Sequence, residues 1–374
     1  MNTQANSNNL HRNELFKGRL PEDIISNPNY SIFPGFIDVH VHLREPGFSY
    51  KETIATGTHA ALCGGYSGVA SMPNLDPVPD SIENLNVQLD IIRKDAHVKV
   101  YPFASITKGQ QGAELADIDG LYDKVIGFSD DGRGVQSDDM MAQAMRKVKG
   151  CDSIIAAHCE VNSLAPSPAS EYLQLKRDLE LVSKINVRYH MCHCSTKESV
   201  DLIRAAKKAG LPVTCETAPH YLIFTEKDVK DSGNYKMNPP IRSQEDKEAL
   251  LEAIADGTID MIATDHAPHS SEEKSKGFAA SLNGIVGLET AFPLLYTHLV
   301  REKVISLDRL IELMSIAPRK VFRIENSGLC VFDLNSKYTI NPENFKSKGR
   351  SCPYGGMEVY GKHIATSVEG ECNE

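Results

Sequence analysis

His40 and His42, separated by one residue in the run PGFIDVHVHLREPG at 34–47, are the side chains most suited to chemistry. Side chains in a strand alternate faces with a period of two, so both imidazoles share a face. Arg44 joins them if the strand direction persists, and Ile37, Val39, Val41 and Leu43 are expected on the other face. Two imidazoles one pleat apart can converge on a single cation, and imidazole is a preferred zinc ligand. Taken alone, the pair reads equally as solvated or simply hydrogen-bonded histidines. Further polar groups recur along the chain at Asn74, Asp130–Asp131, His158, His193, His220 and Asp265. Cys192 and Cys194 flank His193, so strict alternation aims both away from its face, towards barrel-to-helix packing, and His190 shares their parity. Cys159, next to His158, is discounted on the same ground, and the isolated His97 and His363 are expected on the surface. Asp38 begins its strand and is expected to make a buried structural hydrogen bond rather than to ligate.

The elements that must position these groups follow from hydrophobic periodicity. Short β-branched runs predict strands at 36–42, 67–72, 98–105, 124–129, 153–158, 187–193, 212–217 and 259–264. Stretches of helical period predict helices near 52–63, 81–94, 112–121, 138–148, 171–184, 197–209, 244–256 and 284–300. Repeated strand-then-helix units imply parallel strands with right-handed crossovers, and eight units close a (β/α)8 TIM barrel. An open doubly wound sheet is the alternative, but no G-x-G-x-x-G opens the first unit. The recurring polar residues fall at or just beyond the C-terminal ends of the predicted strands, the face on which such barrels carry their chemistry. Helix capping could explain one or two of them, but not all.

The 374 residues suffice for one large α/β domain with a small appendage. A formal net charge of −10, with no Lys/Arg block, argues against nucleic-acid binding. No apolar run approaches the ~18 residues that span a bilayer, so no membrane partner is expected. The N-terminus lacks the basic start and apolar stretch of a signal peptide. Nine scattered cysteines, an odd number, fit a reducing compartment and a cytoplasmic location.

Seven blocks together carry a family resemblance: PGFIDVHVHLREPG, KETIATGTHAALCGGYSGVASMPN, FSDDGRGVQS, AAHCE, YHMCHCSTKES, KMNPPIR and IATDHAPHSSEEK. In order and content they resemble the dihydroorotases of the amidohydrolase superfamily, across roughly residues 34–324. The resemblance implies one zinc held by His40, His42 and Asp265, and a second held by His158 and His193. Many relatives bridge the metals with a carboxylated lysine at the end of the fourth strand. Here that strand ends Phe128-Ser129-Asp130-Asp131 without a lysine, similar to the branch that uses aspartate, and the motif match favours Asp131 over Asp130. Lys124 begins the same strand, at the wrong end of the barrel, and reads as a solvated charge. The resemblance further implies Asp265 as the proton shuttle, with His42, Arg44, Asn74, Asn238 and His269 contacting substrate. The implied reaction is reversible cyclisation of N-carbamoyl-L-aspartate to L-dihydroorotate in pyrimidine biosynthesis. It also implies one or two Zn2+ per subunit, a homodimer, and association with aspartate transcarbamoylase.

The termini depart from the family pattern. Only 33 residues precede Pro34, where relatives have about fifty that help to build a β-sandwich beside the barrel. A polar N-terminal segment at 1–33, its first dozen residues disordered, and a C-terminal part at 325–374 are therefore expected to form a small, reduced β-sandwich domain. Leu75 stands where threonine is common, and Asn283-Gly284 stands where an aromatic-Gly pair usually contacts substrate. The rival readings are another cyclic amidase, of the allantoinase or hydantoinase kind, and a non-catalytic homologue that scaffolds transcarbamoylase. Arg44 in HLREPG and the aspartate at the bridge oppose the first; retention of every implied ligand opposes the second.

Overall fold

The computed structural model describes residues 16–368 and 371–373; the expectation of disorder in the first dozen residues lies outside them. After a strand β1 (Tyr30–Pro34), eight strands alternate with helices. They are β2 (Phe36–Val41), β3 (Tyr66–Ser71), β4 (Lys99–Ala104), β5 (Gly127–Phe128), β6 (Ile154–Ala157), β7 (Arg188–Met191), β8 (Val213–Thr217) and β9 (Met261–Ile262). Each pairs in parallel with the next, in the order β2 through β9. The ring closes through a parallel bridge between Val41 and His266, where the His42 N–H donates to the His266 carbonyl at 2.8 Å. The buried Asp38 carboxylate secures the same seam, accepting from the backbone N–H groups of Thr264 and His40 at 3.1 Å each. A (β/α)8 barrel results, as the eight repeats predict.

Local sequence sets the helix starts. Thr53, Ser81, Ser137, Thr196 and Ser243 each accept an N–H from the first turn of the helix that follows, a cap worth about 1 kcal/mol. The predicted helix at 112–121 forms only as the turn Ile118–Leu121, capped by Asp117. Gly112 sits at φ +69°, a left-handed conformation that does not propagate a helix.

Two departures from strict alternation re-aim side chains in the barrel. The β2–β3 register shifts between Asp38 and Val41, and a bulge of this kind changes which residues face inwards. Ile37 and Val39 therefore pack with Ala70, Phe103 and Met261 inside the barrel, while Val41 and Leu43 pack outwards against the helices; the single apolar face expected of the four does not form. At the end of β7, His193 adopts φ +34° and turns inwards although its predecessor does too. Cys194 packs between barrel and helices as expected, but Cys192 and His190 do not: Cys192 joins the interior cluster, and His190 bonds Glu216 and lies against Phe322.

Beside the barrel, β1, β10 (Leu329–Thr339), β11 (Glu358–Val368) and β12 (Glu371–Asn373) form a four-stranded antiparallel sheet in the order β1-β10-β11-β12. Among the described residues this single sheet is what the reduced sandwich amounts to. One face packs Leu329, Val331 and Ala365 on Leu20, Ile24 and Ile25. The other sets Phe332 against Phe292 and Phe36 of the barrel, with ring centroids 4.2 and 5.7 Å away. His363 is half-buried against Phe332 rather than on the surface, whereas His97 is exposed. The connection between β10 and β11 returns to the barrel, where Ile340, Cys352 and Tyr354 pack with Met237, Ile285 and Leu294.

Candidate active site

The C-terminal ends of the barrel strands surround a cavity of about 200 Å³ lined by His42, Arg44, Asn74, Asp131, His158, His193, Asn238, Asp265, His269, Asn283 and Gly284, among others. His40 lies just beneath, fully buried. Asp131 is the hub. Its carboxylate lies 3.3 Å from His40 Nε2, 3.4 Å from His42 Nε2, 3.5 Å from His158 Nδ1 and 3.3 Å from His193 Nε2. Asp265 Oδ1 adds contacts of 3.0 Å to His42 Nε2 and 3.6 Å to His40 Nε2. Three metal-sized groupings follow, His40–His42–Asp265, Asp131–His158–His193 and His40–Asp131–Cys192, each with its donor atoms within 4.8 Å of one another. Arg44, His193 and Asp265 all carry positive φ, at 60°, 34° and 50°. Such backbone costs of order 1–3 kcal/mol per residue and is held only where surroundings over-determine it, typically at functional sites.

A second ring of groups fixes which nitrogen of each imidazole faces the cluster. His40 Nδ1–H donates to Glu216 Oε1 at 2.6 Å, His42 Nδ1–H to Asn74 Oδ1 at 2.9 Å, and His158 Nε2–H to Glu160 Oε2 at 3.1 Å. With those protons engaged, His40 Nε2, His42 Nε2 and His158 Nδ1 present lone pairs to a common centre. Carboxylate or amide partners behind ligating histidines do this in metal sites generally. The buried Nε2 of His40 has no hydrogen-bond partner; an orphaned buried polar atom costs about 1–3 kcal/mol and asks for a ligand. The mixed nitrogen and oxygen donors, all buried, suit a divalent cation of the zinc kind.

The electrostatics agree. Burial works to raise the Asp131 carboxyl, yet the His40 charge and the close His158 and His193 rings outweigh it and hold the group well below the usual carboxylate range. Burial pushes the His158 ring down, but Asp131 and Glu160 overcome it and lift it to about 9. Glu216, opposed by burial but flanked by His40 and His190, falls to about 2. A carboxylate-rich pocket that draws protons onto imidazoles attracts a cation to the same lone pairs.

Asp130 has a different environment. It accepts from the N–H groups of Ile106 and Thr107 at 2.8 and 3.1 Å and from the Thr107 hydroxyl, so of the two neighbouring aspartates Asp131 is the one in the cluster. Lys124 is exposed and pairs with Asp123. His220 is fully buried with neither ring nitrogen bonded, does not line the cavity, and is pushed down to about 4 by burial. Arg44 is 9% exposed, and its Nε donates to the Pro268 carbonyl at 3.2 Å. His269 Nε2–H donates to the Asn283 carbonyl at 2.7 Å; burial, then the Arg44 and Lys51 charges, push its ring down to about 4. Asn238 Nδ2 donates to Glu160. Asn283–Gly284 lies in the cavity wall. A Cβ at Gly284 (φ +138°) would sit 2.4 Å from the Ala267 carbonyl oxygen, so only glycine fits there.

Sequence reasoning missed Glu216 and Glu160. A carboxylate inside the otherwise buried strand VTCET was the available signal for Glu216; Glu160, two residues after His158, could have been found as a near neighbour.

Among the described residues, no helix is long and apolar enough to cross a membrane. A family model described as dihydro-orotase-like matches residues 30–179. The dihydroorotase of Fusobacterium nucleatum subsp. nucleatum is 46% identical over 377 residues, covering 94% of this chain and 89% of that protein. The dihydroorotase of Geobacillus thermodenitrificans is 45% identical over 389 residues, covering 96% and 91%. Among solved structures, the L-hydantoinase (dihydropyrimidinase) from Arthrobacter aurescens superposes with a TM-score of 0.83 at 24% identity, covering 91% of this chain and 84% of that one, a likeness of fold.

Proposed function

The chain belongs to the dihydroorotase family and is a cyclic amide hydrolase, and on that premise we propose how its own residues bind and turn over the substrate. The reaction is the reversible interconversion of L-dihydroorotate and N-carbamoyl-L-aspartate in de novo pyrimidine biosynthesis. The observation that carries this reading is the convergence of four imidazoles on Asp131, with Asp265 beside them, at the floor of a cavity bearing Arg44.

His40, His42 and Asp265 would hold one zinc ion, His158 and His193 a second, and Asp131 would bridge the two. A zinc ion held there would supply a water of lowered pKa, roughly 7, and would polarise the ring carbonyl. The Asp265 carboxylate takes the proton of the attacking water and returns it to the ring nitrogen as the C–N bond breaks, acting as base and then as acid. The Arg44 guanidinium meets the ring carboxylate in paired, charge-assisted hydrogen bonds. Asn74, whose amide oxygen already accepts from His42, keeps its Nδ2 for the same carboxylate. Asn238, whose Nδ2 is engaged by Glu160, keeps its carbonyl oxygen for a ring N–H. His269 stays neutral at working pH and walls the carboxylate side. The absence of disulfides among eight described cysteines supports a cytoplasmic setting.

Ring closure joins a carboxylate to the carbamoyl nitrogen, consumes one proton and releases water, so the product ratio must depend on pH. The test starts the purified chain from each reactant in turn. Both mixtures should converge on one ratio that moves towards dihydroorotate by about tenfold per unit of acidification. A ratio insensitive to pH, or no conversion from either side, contradicts the reading.

A further inference from the structure

The loops that carry Asn238, His269 and Asn283–Gly284 meet on one buried ammonium. Lys274 ends the short helix Ser271–Lys274, five residues after His269, and is 6% exposed. Its Nζ donates to the carbonyls of Lys236 at 3.0 Å, Leu282 at 2.8 Å and Gly284 at 2.6 Å. An ammonium has three donors, and here all three go to backbone carbonyls of the two loops that wall the cavity. Among the described residues no carboxylate forms an ion pair with it, so these carbonyls, with the more distant Glu273 charge, compensate its removal from water. Burial, then the nearby Lys236 and Arg44 charges, push the group down to about 7.

The loops are also tied to each other around this point. The Gly284 N–H donates to the Lys236 carbonyl at 2.9 Å, and Ser281 Oγ donates to the Lys274 carbonyl at 3.1 Å. A Cβ at Gly233 would lie 2.2 Å from the Lys274 carbonyl oxygen, so the first loop passes directly over the helix. Asn238 follows Lys236 by two residues, and Leu282 and Gly284 bracket Asn283, whose carbonyl holds His269.

We propose that Lys274 is a positioning residue for substrate recognition: its ammonium knots the two loops so that Asn238, His269 and the Asn283–Gly284 backbone stand as a preformed wall for the ring. The proposal rests on the dihydroorotate reading of the site. Lys274 neither lines the cavity nor belongs to the metal cluster, so its effect falls on binding rather than on the chemical step.

The test compares Lys274→Met, which keeps the stem and loses every donor, with Lys274→Gln, which keeps two. For dihydroorotate, Lys274→Met should raise KM roughly tenfold or more while kcat stays within about threefold. Lys274→Gln should recover part of that loss, and zinc content should match the wild type in both. A folded Lys274→Met with unchanged KM overturns the proposal, as does a fall in kcat at constant KM. Should Lys274→Met fail to fold, or the wild type not turn over dihydroorotate, hydrogen exchange on the wild-type chain decides. Amides across 277–286 should exchange slowly without ligand, and exchange at the rate of an exposed loop overturns the knot. Absence of wild-type turnover by itself contradicts the dihydroorotate assignment, and the exchange rate then decides separately whether Lys274 holds the loops.

Discussion

Asp131 and Asp265 stand within 3.6 Å of the same two histidines, yet their proposed duties differ and their variants should separate. In the proposed mechanism Asp265 carries the proton transfer, and His158 would be a ligand with no part in it. Asp265→Ala should keep much of its metal and lose roughly 10³-fold or more in turnover, whereas His158→Ala should chiefly lose metal. Metal analysis beside rates for the two variants checks this, and normal turnover in Asp265→Ala rules out the shuttle. Glu216 makes a sharper case, because it reaches the cluster only through the His40 ring and the His193 N–H, at 2.6 and 3.3 Å. Glu216→Gln keeps the shape but weakens the acceptor that fixes the His40 tautomer. Chelator competition should show metal affinity about 10- to 100-fold weaker; unchanged affinity would mean that ring orientation needs no help from Glu216. The residue types at strand ends were legible because a (β/α)8 barrel carries its chemistry on that face. The partners behind them were not, because they sit inside strands or loops where periodicity marks only burial.

At the scale of elements, the sequence was read most accurately where amphipathic period and a capping residue coincide. The helices Gln244–Asp256 and Lys197–Lys208 begin after Ser243 and Thr196, each of which accepts a first-turn N–H. Accuracy fell where backbone geometry broke the period. The register shift in β2 separated Ile37 and Val39 from Val41 and Leu43, the left-handed His193 turned inwards beside Cys192, and a single sequence does not announce such local conformations. His363 was misplaced for another reason: its burial depends on β11 pairing with β10, which sets its ring against Phe332, a contact between distant segments. Burial pushes its ring down to about 4, against roughly 6.5 in an unfolded chain. Between those values the unfolded chain binds a proton that the folded one does not, so stability falls as pH drops through that window. His363→Gln, which keeps a hydrogen-bonding partner for Thr366, should lose less melting temperature between pH 7 and 4.5 than the wild type does. Parallel losses in the two proteins would contradict the burial of that ring.

For the whole molecule, the terminal sheet and the catalytic face are mechanically joined although they lie on different layers. The β10–β11 connection runs back over the barrel, where the Lys348 N–H donates to Glu52 at 3.0 Å and Ser347 Oγ bonds the same carboxylate. Glu52 in turn lies 3.4 Å from His266 Nε2, the residue after Asp265, and the Gly287 N–H holds the other side of that ring at 3.2 Å. A reduced appendage thus buttresses the strand end that bears the proposed proton shuttle. Everything proposed for the reaction depends on the cluster around Asp131 being a cation site that serves dihydroorotate. The most direct test is zinc content measured on the same purified sample as dihydroorotate hydrolysis, before and after stripping with a chelator. One or two zinc ions per chain, with turnover lost on stripping and restored by zinc, is the result predicted. Full turnover by chain that holds no metal would contradict it.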